Sequence, residues 1–181
     1  NQDVSSFDVS TVTNFSASFK GATSFNQNLG SWDISSSTDM SNMLDNTTLS
    51  SINYGNTLKG WYELSNTPSN ITLGASNLTY TYSNQTYQTS LTSNNNWTIN
   101  DSGLTNTEYG VTYDNNTLVA TSFDSTTLSS SGAINFRPDT VSITSSAFLG
   151  QTTITSVSIP SSMTSISSNA FKSCSGIKSI T

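Results

Sequence analysis

Carboxylates are the most chemically capable residues in this sequence, and two of them recur in matching surroundings. Asp8 sits in SFDVS and Asp33 in SWDIS, 25 positions further on. In a chain folded as stacked coils, the two would stand one above the other, about 4.8 Å apart along the stack. Paired carboxylates can hold Ca2+ or act as the two acids of glycoside hydrolysis. The competing reading is that each Asp caps its own turn and recurs because the coil recurs. No calcium loop of the D-x-D-x-D-G type is present, which favours the cap and leaves Asp8 and Asp33 as metal candidates only. The sequence contains no His, so Ser-His or Cys-His nucleophilic catalysis and His-ligated metal sites are excluded within this chain. We expect no enzyme, no catalytic residue and no cofactor. Cys174 is the single cysteine, so no internal disulfide can form. Three residues after Phe171, it reads as a small buried hydrophobe, with a reactive or intermolecularly paired thiol as the other reading.

Eight N-x-[ST] sequons occur, at Asn14, Asn46, Asn70, Asn77, Asn84, Asn96, Asn100 and Asn115. Ser and Thr are so abundant that 21 Asn would give nearly this many by chance. They permit N-glycosylation in a secretory pathway that performs it and do not argue for it. Exposed Ser and Thr rows raise ice binding, which needs a flat, in-register Thr array; here Ser, Thr and Asn are mixed. Tyr54, Trp61, Tyr62, Tyr80, Tyr82, Tyr87 and Trp97 fall close together in the chain. They read either as the core of a helical block, because of their spacing, or as a carbohydrate-stacking face.

The elements that must position these residues show as two repeats. At an offset of 23, Ala147-Phe148 falls on Ala170-Phe171, Ile143 on Ile166, Ile134 on Val157, Phe136 on Ile159, Ile154 on Ile177 and Val157 on Ile180. A fixed period in the twenties marks coils that bury an apolar face only by stacking. Residues 1–50 repeat at 25: Phe7 falls on Trp32, Asp8 on Asp33, Val9 on Ile34, Ser16 on Ser41 and Phe19 on Leu44. Each unit is expected to hold a short strand at Phe7-Asp8-Val9 or Trp32-Asp33-Ile34. A helical turn from Asn14 or Asp39, capped by Thr13 or Thr38, should follow it. Residues 51–103 do not repeat. They predict a helix over Asn53 to Leu64, a strand at Ile71-Thr72-Leu73, a second helix capped by Ser83, and a strand at Trp97-Thr98-Ile99. Residues 104–131 read as a connecting β segment with strands at Gly110-Tyr113 and Thr117-Thr121, and 132–181 as coils of period 23.

FNQNLGSWDISSSTDMSNML resembles a bacterial surface-protein repeat, lipoprotein-associated in many members, whose unit reads close to FNQDLSSWDVSNVTNMSYMF. The likeness covers two copies in residues 1–50. The block ending in W-T-I-x-D-x-G is similar to the segment that closes arrays of that family, taking the resemblance to residue 103. Ser18 stands for the second Met in the first copy, and Ser36-Ser37 for Asn-Val in the second. IPSSMTSISSNAFKSCSGIKSI resembles the BspA-type leucine-rich repeat, whose unit reads close to IPSSVTSIGDNAFSGCSGLTSI; in the preceding copy Arg137 stands where Pro160 does. These resemblances imply a mainly β repeat solenoid, with leucine-rich-repeat-like coils and short helical turns, interrupted by a small α/β cap-like block. They also imply surface attachment.

Composition narrows the partners. Hydrophobic residues make up 33% and charged residues 9%, both low for a soluble domain. Aromatics at 10% nevertheless set it apart from a disordered chain. Five basic residues against 11 acidic ones give a net charge of -6, which argues against nucleic acid and an anionic membrane surface. No apolar run approaches the roughly 20 residues of a membrane span. Both ends fall inside repeats, so the chain reads as a piece of something longer, and the lack of a leader says nothing of localisation. The expected function is extracellular, surface-displayed adhesion to a protein or glycan without catalysis. The alternative is a structural subunit of an extracellular filament, sheath or virion fibre, whose partners are copies of itself, since an open head-to-tail contact generates fibres.

Overall fold

The computed structural model describes residues 3–108, 110–125 and 132–181; part of the expected connecting β segment, 126–131, lies outside them. The chain divides into two compact units, Asn1–Thr105 and Asn106–Thr181.

In the first unit, neighbouring turns of chain are joined amide by amide. The N–H groups of Phe15, Ala17, Phe19 and Gly21 donate to the carbonyls of Asp39, Ser41, Met43 and Asp45, at 2.8–3.0 Å. Every second amide is thereby drawn to the next coil, and those of Ser18, Lys20 and Ala22 between them donate three residues back, to Phe15, Ala17 and Phe19, so the i−4 ladder a helix requires does not form. The helical turns expected from Asn14 and Asp39 are accordingly non-helical turns. Ala17 and Asn42 sit at φ 56° within them, a left-handed conformation that turns the following amide outward. The strands expected at Phe7-Asp8-Val9 and Trp32-Asp33-Ile34 are also absent; the β-type pairing between these coils among the described residues is the isolated bridge Asn14↔Asp39. Thr13 and Thr38 are not caps. The Thr38 hydroxyl donates to the Thr13 carbonyl at 3.0 Å, a rung between coils.

Helix α1, Ser51–Tyr62, starts where the Ser50 hydroxyl accepts the Asn53 N–H. It ends where the Thr67 hydroxyl donates to the Trp61 carbonyl at 2.8 Å, one residue before Pro68. Its Tyr54, Leu58 and Trp61 are fully buried, at the i, i+4, i+7 spacing of one helix face. Strand β1, Thr72–Gly74, follows. A 3-10 turn over Tyr82–Asn84 leads into α2, Gln85–Asn94, and then β2, Thr98–Asn100. Ser83 lies inside that turn and does not cap α2. Strands β1 and β2 are parallel, pairing Thr72↔Thr98 and Leu73↔Ile99, and Met40 bridges to Leu73. Residues 51–103, which show no sequence repeat, thus add layers to the same stack.

Tryptophan marks that continuity. The indole N–H of Trp32 donates to the Val4 carbonyl, that of Trp61 to Leu29 and that of Trp97 to Pro68, at 2.7–3.0 Å. Each ring fills the core of its own layer while tying itself to the chain before it.

The second unit begins with β3 (Thr107–Glu108), β4 (Val111–Asp114) and β5 (Val119–Phe123), an antiparallel meander. The coils then lay down β6 (Ala133–Asn135), β7 (Ser142–Ile143), β8 (Ser156–Ser158), β9 (Ser165–Ile166) and β10 (Ser179–Ile180). All pair in parallel: Ile134↔Val157, Ile143↔Ile166 and Val157↔Ile180. These are the pairs read from the 23-residue offset. Sheet order is β3-β4-β5-β7-β9 and β6-β8-β10. Phe148 is fully buried, with Phe123, Phe136 and Phe171 at ring distances of 4.9–5.6 Å.

Candidate functional site

Asp8 and Asp33 each fold back on their own turn. The Asp8 Oδ1 accepts the Ser10 N–H at 3.1 Å and the Ser10 hydroxyl at 2.7 Å, and the Asp33 Oδ1 accepts the Ser35 N–H at 3.0 Å. These bonds, the Ser hydroxyl first and the amide second, hold both carboxyls below the ordinary value of 3.8. The two remain close enough for Asp8 to oppose that shift at Asp33. Among the described residues no group of three or more His, Cys, Asp or Glu gathers where a metal could sit. Cys174 is half-buried and its thiol points to the Phe148 carbonyl at 2.9 Å.

The sequons divide by geometry. Asn84 is buried: its Oδ1 accepts the Thr81 hydroxyl, and its amide lies against Gly55 of α1, where a Cβ would meet it at 2.7 Å. A glycan there would require this side chain to leave the core. Asn77 donates to Asn46 at 2.9 Å and Asn96 to Asn70 at 2.6 Å, exposed side-chain ladders at left-handed positions with φ of 55–71°. Asn115 accepts from Arg137 at 2.7 Å, and Asn14 lies 3.5 Å from Asp39. Asn100 is exposed on β2.

The aromatic group splits as well. Tyr54, Trp61, Tyr80 and Trp97 are buried in the core of the first unit, whereas Tyr62, Tyr82 and Tyr87 are half-buried. The Tyr54 hydroxyl donates to Asp101 at 2.9 Å, and burial raises the Asp101 carboxyl above 3.8 despite that bond and one from Gly103.

Two constellations escape the sequence reading. In the second unit Arg137 pairs with Glu108 at 3.2 Å, both side chains about 95% buried (4% and 5% exposed). The guanidinium lies 4.0 Å from the Tyr113 ring centroid. Burial pushes the Tyr113 hydroxyl up to about 12, and it stays protonated. Arg137 standing at the Pro160 position was the only sequence signal. In the first unit, Asn56, Lys59, Gly60 and Glu63 share the α1 face opposite the buried one and line a cleft of about 270 Å³ with Asn28 and Gly30. The signal there was polar spacing on a helix whose other face is aromatic.

The comparisons with known proteins fit this division. Residues 1–72 match the family model described as a Mycoplasma protein of unknown function, DUF285. Residues 116–181 match the model of the BspA type leucine rich repeat region. The second match supports a repeat fold for the coils with the 23-residue register. No curated protein matches the chain, and no solved structure does.

Proposed function

We propose that this chain is a repeat solenoid displayed outside the cell, which recognises a protein or glycan on another surface without catalysis. The observation that carries the reading is the fixed inter-coil register, Ile134↔Val157↔Ile180 and Ile143↔Ile166, combined with a polar exterior. Stacked coils spend their apolar residues on a narrow inward row and leave an extended outer face for contact. The match to a BspA type leucine rich repeat region and the resemblance of residues 1–50 to a surface-protein repeat support the location. Among the described residues no helix is long and apolar enough to cross a membrane.

Binding of the purified monomer to matrix-protein and glycan arrays tests this; saturable binding is expected, and silence on both sinks it. The alternative reading is a subunit assembled head-to-tail, since an open heterologous contact between copies generates a fibre. Regular fibres in electron micrographs, with a repeat of one chain length and no array binding, would replace the first reading with this one.

A further inference from the structure

Helix α1 turns Tyr54, Leu58 and Trp61 into the core, and its opposite face builds the cleft. Asn56, Lys59, Gly60 and Glu63 follow at i, i+3, i+4 and i+7, neighbours along one helix face. The floor is bare backbone. Gly60 closes directly on Gly30, and a Cβ at Gly30 would meet the Asn56 carbonyl at 2.6 Å. Around that floor stand Asn28, Asn56, Lys59 and Glu63, and the space between them is about 270 Å³. Beyond the lining residues, the Lys59 ammonium lies over the Tyr87 ring, 5.7 Å from its centroid, and Tyr87 pairs with Tyr62 at 5.9 Å.

The polar groups here are unspent. The Asn28 Oδ1 takes the Gly30 N–H and the Thr57 hydroxyl, which leaves the Nδ2 protons to donate. The Asn56 side chain makes no hydrogen bond among the described residues. Lys59 and Glu63 meet only at 3.9 Å and are 44% and 52% exposed, a loose pair from which either end can turn to a ligand. Donors and acceptors are thus mixed at close range over a floor of bare backbone, with the Tyr87 ring behind Lys59. Vicinal hydroxyls, each both donor and acceptor, on a ring with an apolar C–H face answer that arrangement. The volume falls just under the roughly 300–1,000 Å³ of sites for drug-sized ligands, which suits one sugar ring. Lys59 and Glu63 cancel locally, and the net charge of -6 disfavours an acidic sugar.

We propose that this cleft is a subsite for one neutral pyranose ring of a glycan. The proposal rests on the surface-recognition reading and names its ligand class. The test uses the full chain, 15N-labelled, titrated with the methyl glycosides of glucose, galactose, mannose and N-acetylglucosamine. The expected result is a saturable shift of the Gly30, Gly60 and Glu63 amides with at least one glycoside. Asn56→Ala and Glu63→Ala should weaken it about tenfold, the loss of one or two hydrogen bonds to polar or charged groups, at an unchanged melting temperature. Glu63→Gln, which keeps the shape, checks that Glu63→Ala acts through the lost acceptor. Shifts clustered elsewhere, or shifts indifferent to these variants, overturn the proposal. So does the absence of any saturable shift; if the same chain still binds a matrix-protein array, the subsite alone falls, and silence in both sinks the recognition reading with it.

Discussion

The two units join their coils by one backbone device and seal them by different means. In the first, alternate amides of residues 15–21 donate to carbonyls 39–45; in the second, those of Ser146, Phe148 and Gly150 donate to Ser168, Ala170 and Lys172. Left-handed residues recur in both, Asn46 and Asn77 in one and Ser146 and Asn169 in the other. Hydroxyl rungs recur too: Thr48 donates to the Thr23 carbonyl at 3.1 Å and Thr144 to the Thr121 carbonyl at 3.0 Å. The difference lies in the filling. The later layers of the first unit carry α1, α2 and the buried indoles of Trp61 and Trp97, which close the apolar row. In the second the described elements are all strands, and the row is filled by Phe148 among Phe123, Phe136 and Phe171. One backbone device thus serves two kinds of filling.

Core truncation should break this comparison hardest. Trp61→Ala and Phe148→Ala each remove a fully buried ring and should cost about 3–5 kcal/mol in denaturant unfolding. If the units unfold separately, each variant shifts one transition and leaves the other in place. Next comes the buried ion pair, which among the described residues only the second unit has. Glu108→Gln leaves Arg137 buried without its carboxylate and should cost about 3 kcal/mol, whereas the double variant Glu108→Leu/Arg137→Met should recover most of that loss. A double variant no more stable than the single one would show instead that the pair itself carries the stability. Smaller still are the rungs the units share: Thr48→Val and Thr144→Val should each cost about 0.5–1 kcal/mol by the same measurement. Similar values would confirm one device in both units.

Acid titration gives the smallest effect and the clearest contrast in sign. Burial raises Asp101 in the first unit, so its folded state holds the proton more tightly than the unfolded chain does. That contribution is full below 3.8 and is lost as pH rises through the folded value. In the second unit Asp114 is lowered by the Asn116 and Thr117 amides. Its contribution is present above 3.8 and is lost as pH falls through the folded value. Asp101→Asn and Asp114→Asn should therefore flatten the stability-pH curve in opposite senses across the carboxylate range, and a change of the same sign in both would refute the assignment.

The parallel pairs of the second unit could be read in advance because the apolar residues that stack are the same types at one offset. Both helices and the strand after each were legible from aromatic spacing and from breakers such as Pro68 and Asn94-Asn95-Asn96. The helical turns and strands expected in residues 1–50 were not. Phe15 and Phe19 have the spacing of a helix face, yet their amides bond outward, and a single chain shows no partner coil to compete for them. Asp8 and Asp33 showed their recurrence but not the serine that each accepts from. The cleft of Asn28, Gly30 and α1 joins residues about thirty positions apart, so the polar spacing of α1 gave only one of its walls.

By itself the sequence determined the periods, 23 and 25, and with them which residues recur on an inward row, because equivalent positions in stacked coils must satisfy the same packing. It also removed histidine chemistry within this chain and, by its net charge of -6, argued against polyanionic partners. Only the tertiary structure decided that residues 51–103 extend the stack, since Trp32, Trp61 and Trp97 do equivalent work at unequal spacings that no fixed period detects. It likewise decided that Arg137 is buried against Glu108 and Tyr113, and that one face of α1 meets the Gly30 backbone. Those outcomes depend on which chain segments lie side by side, and spacing along a single chain does not carry that information.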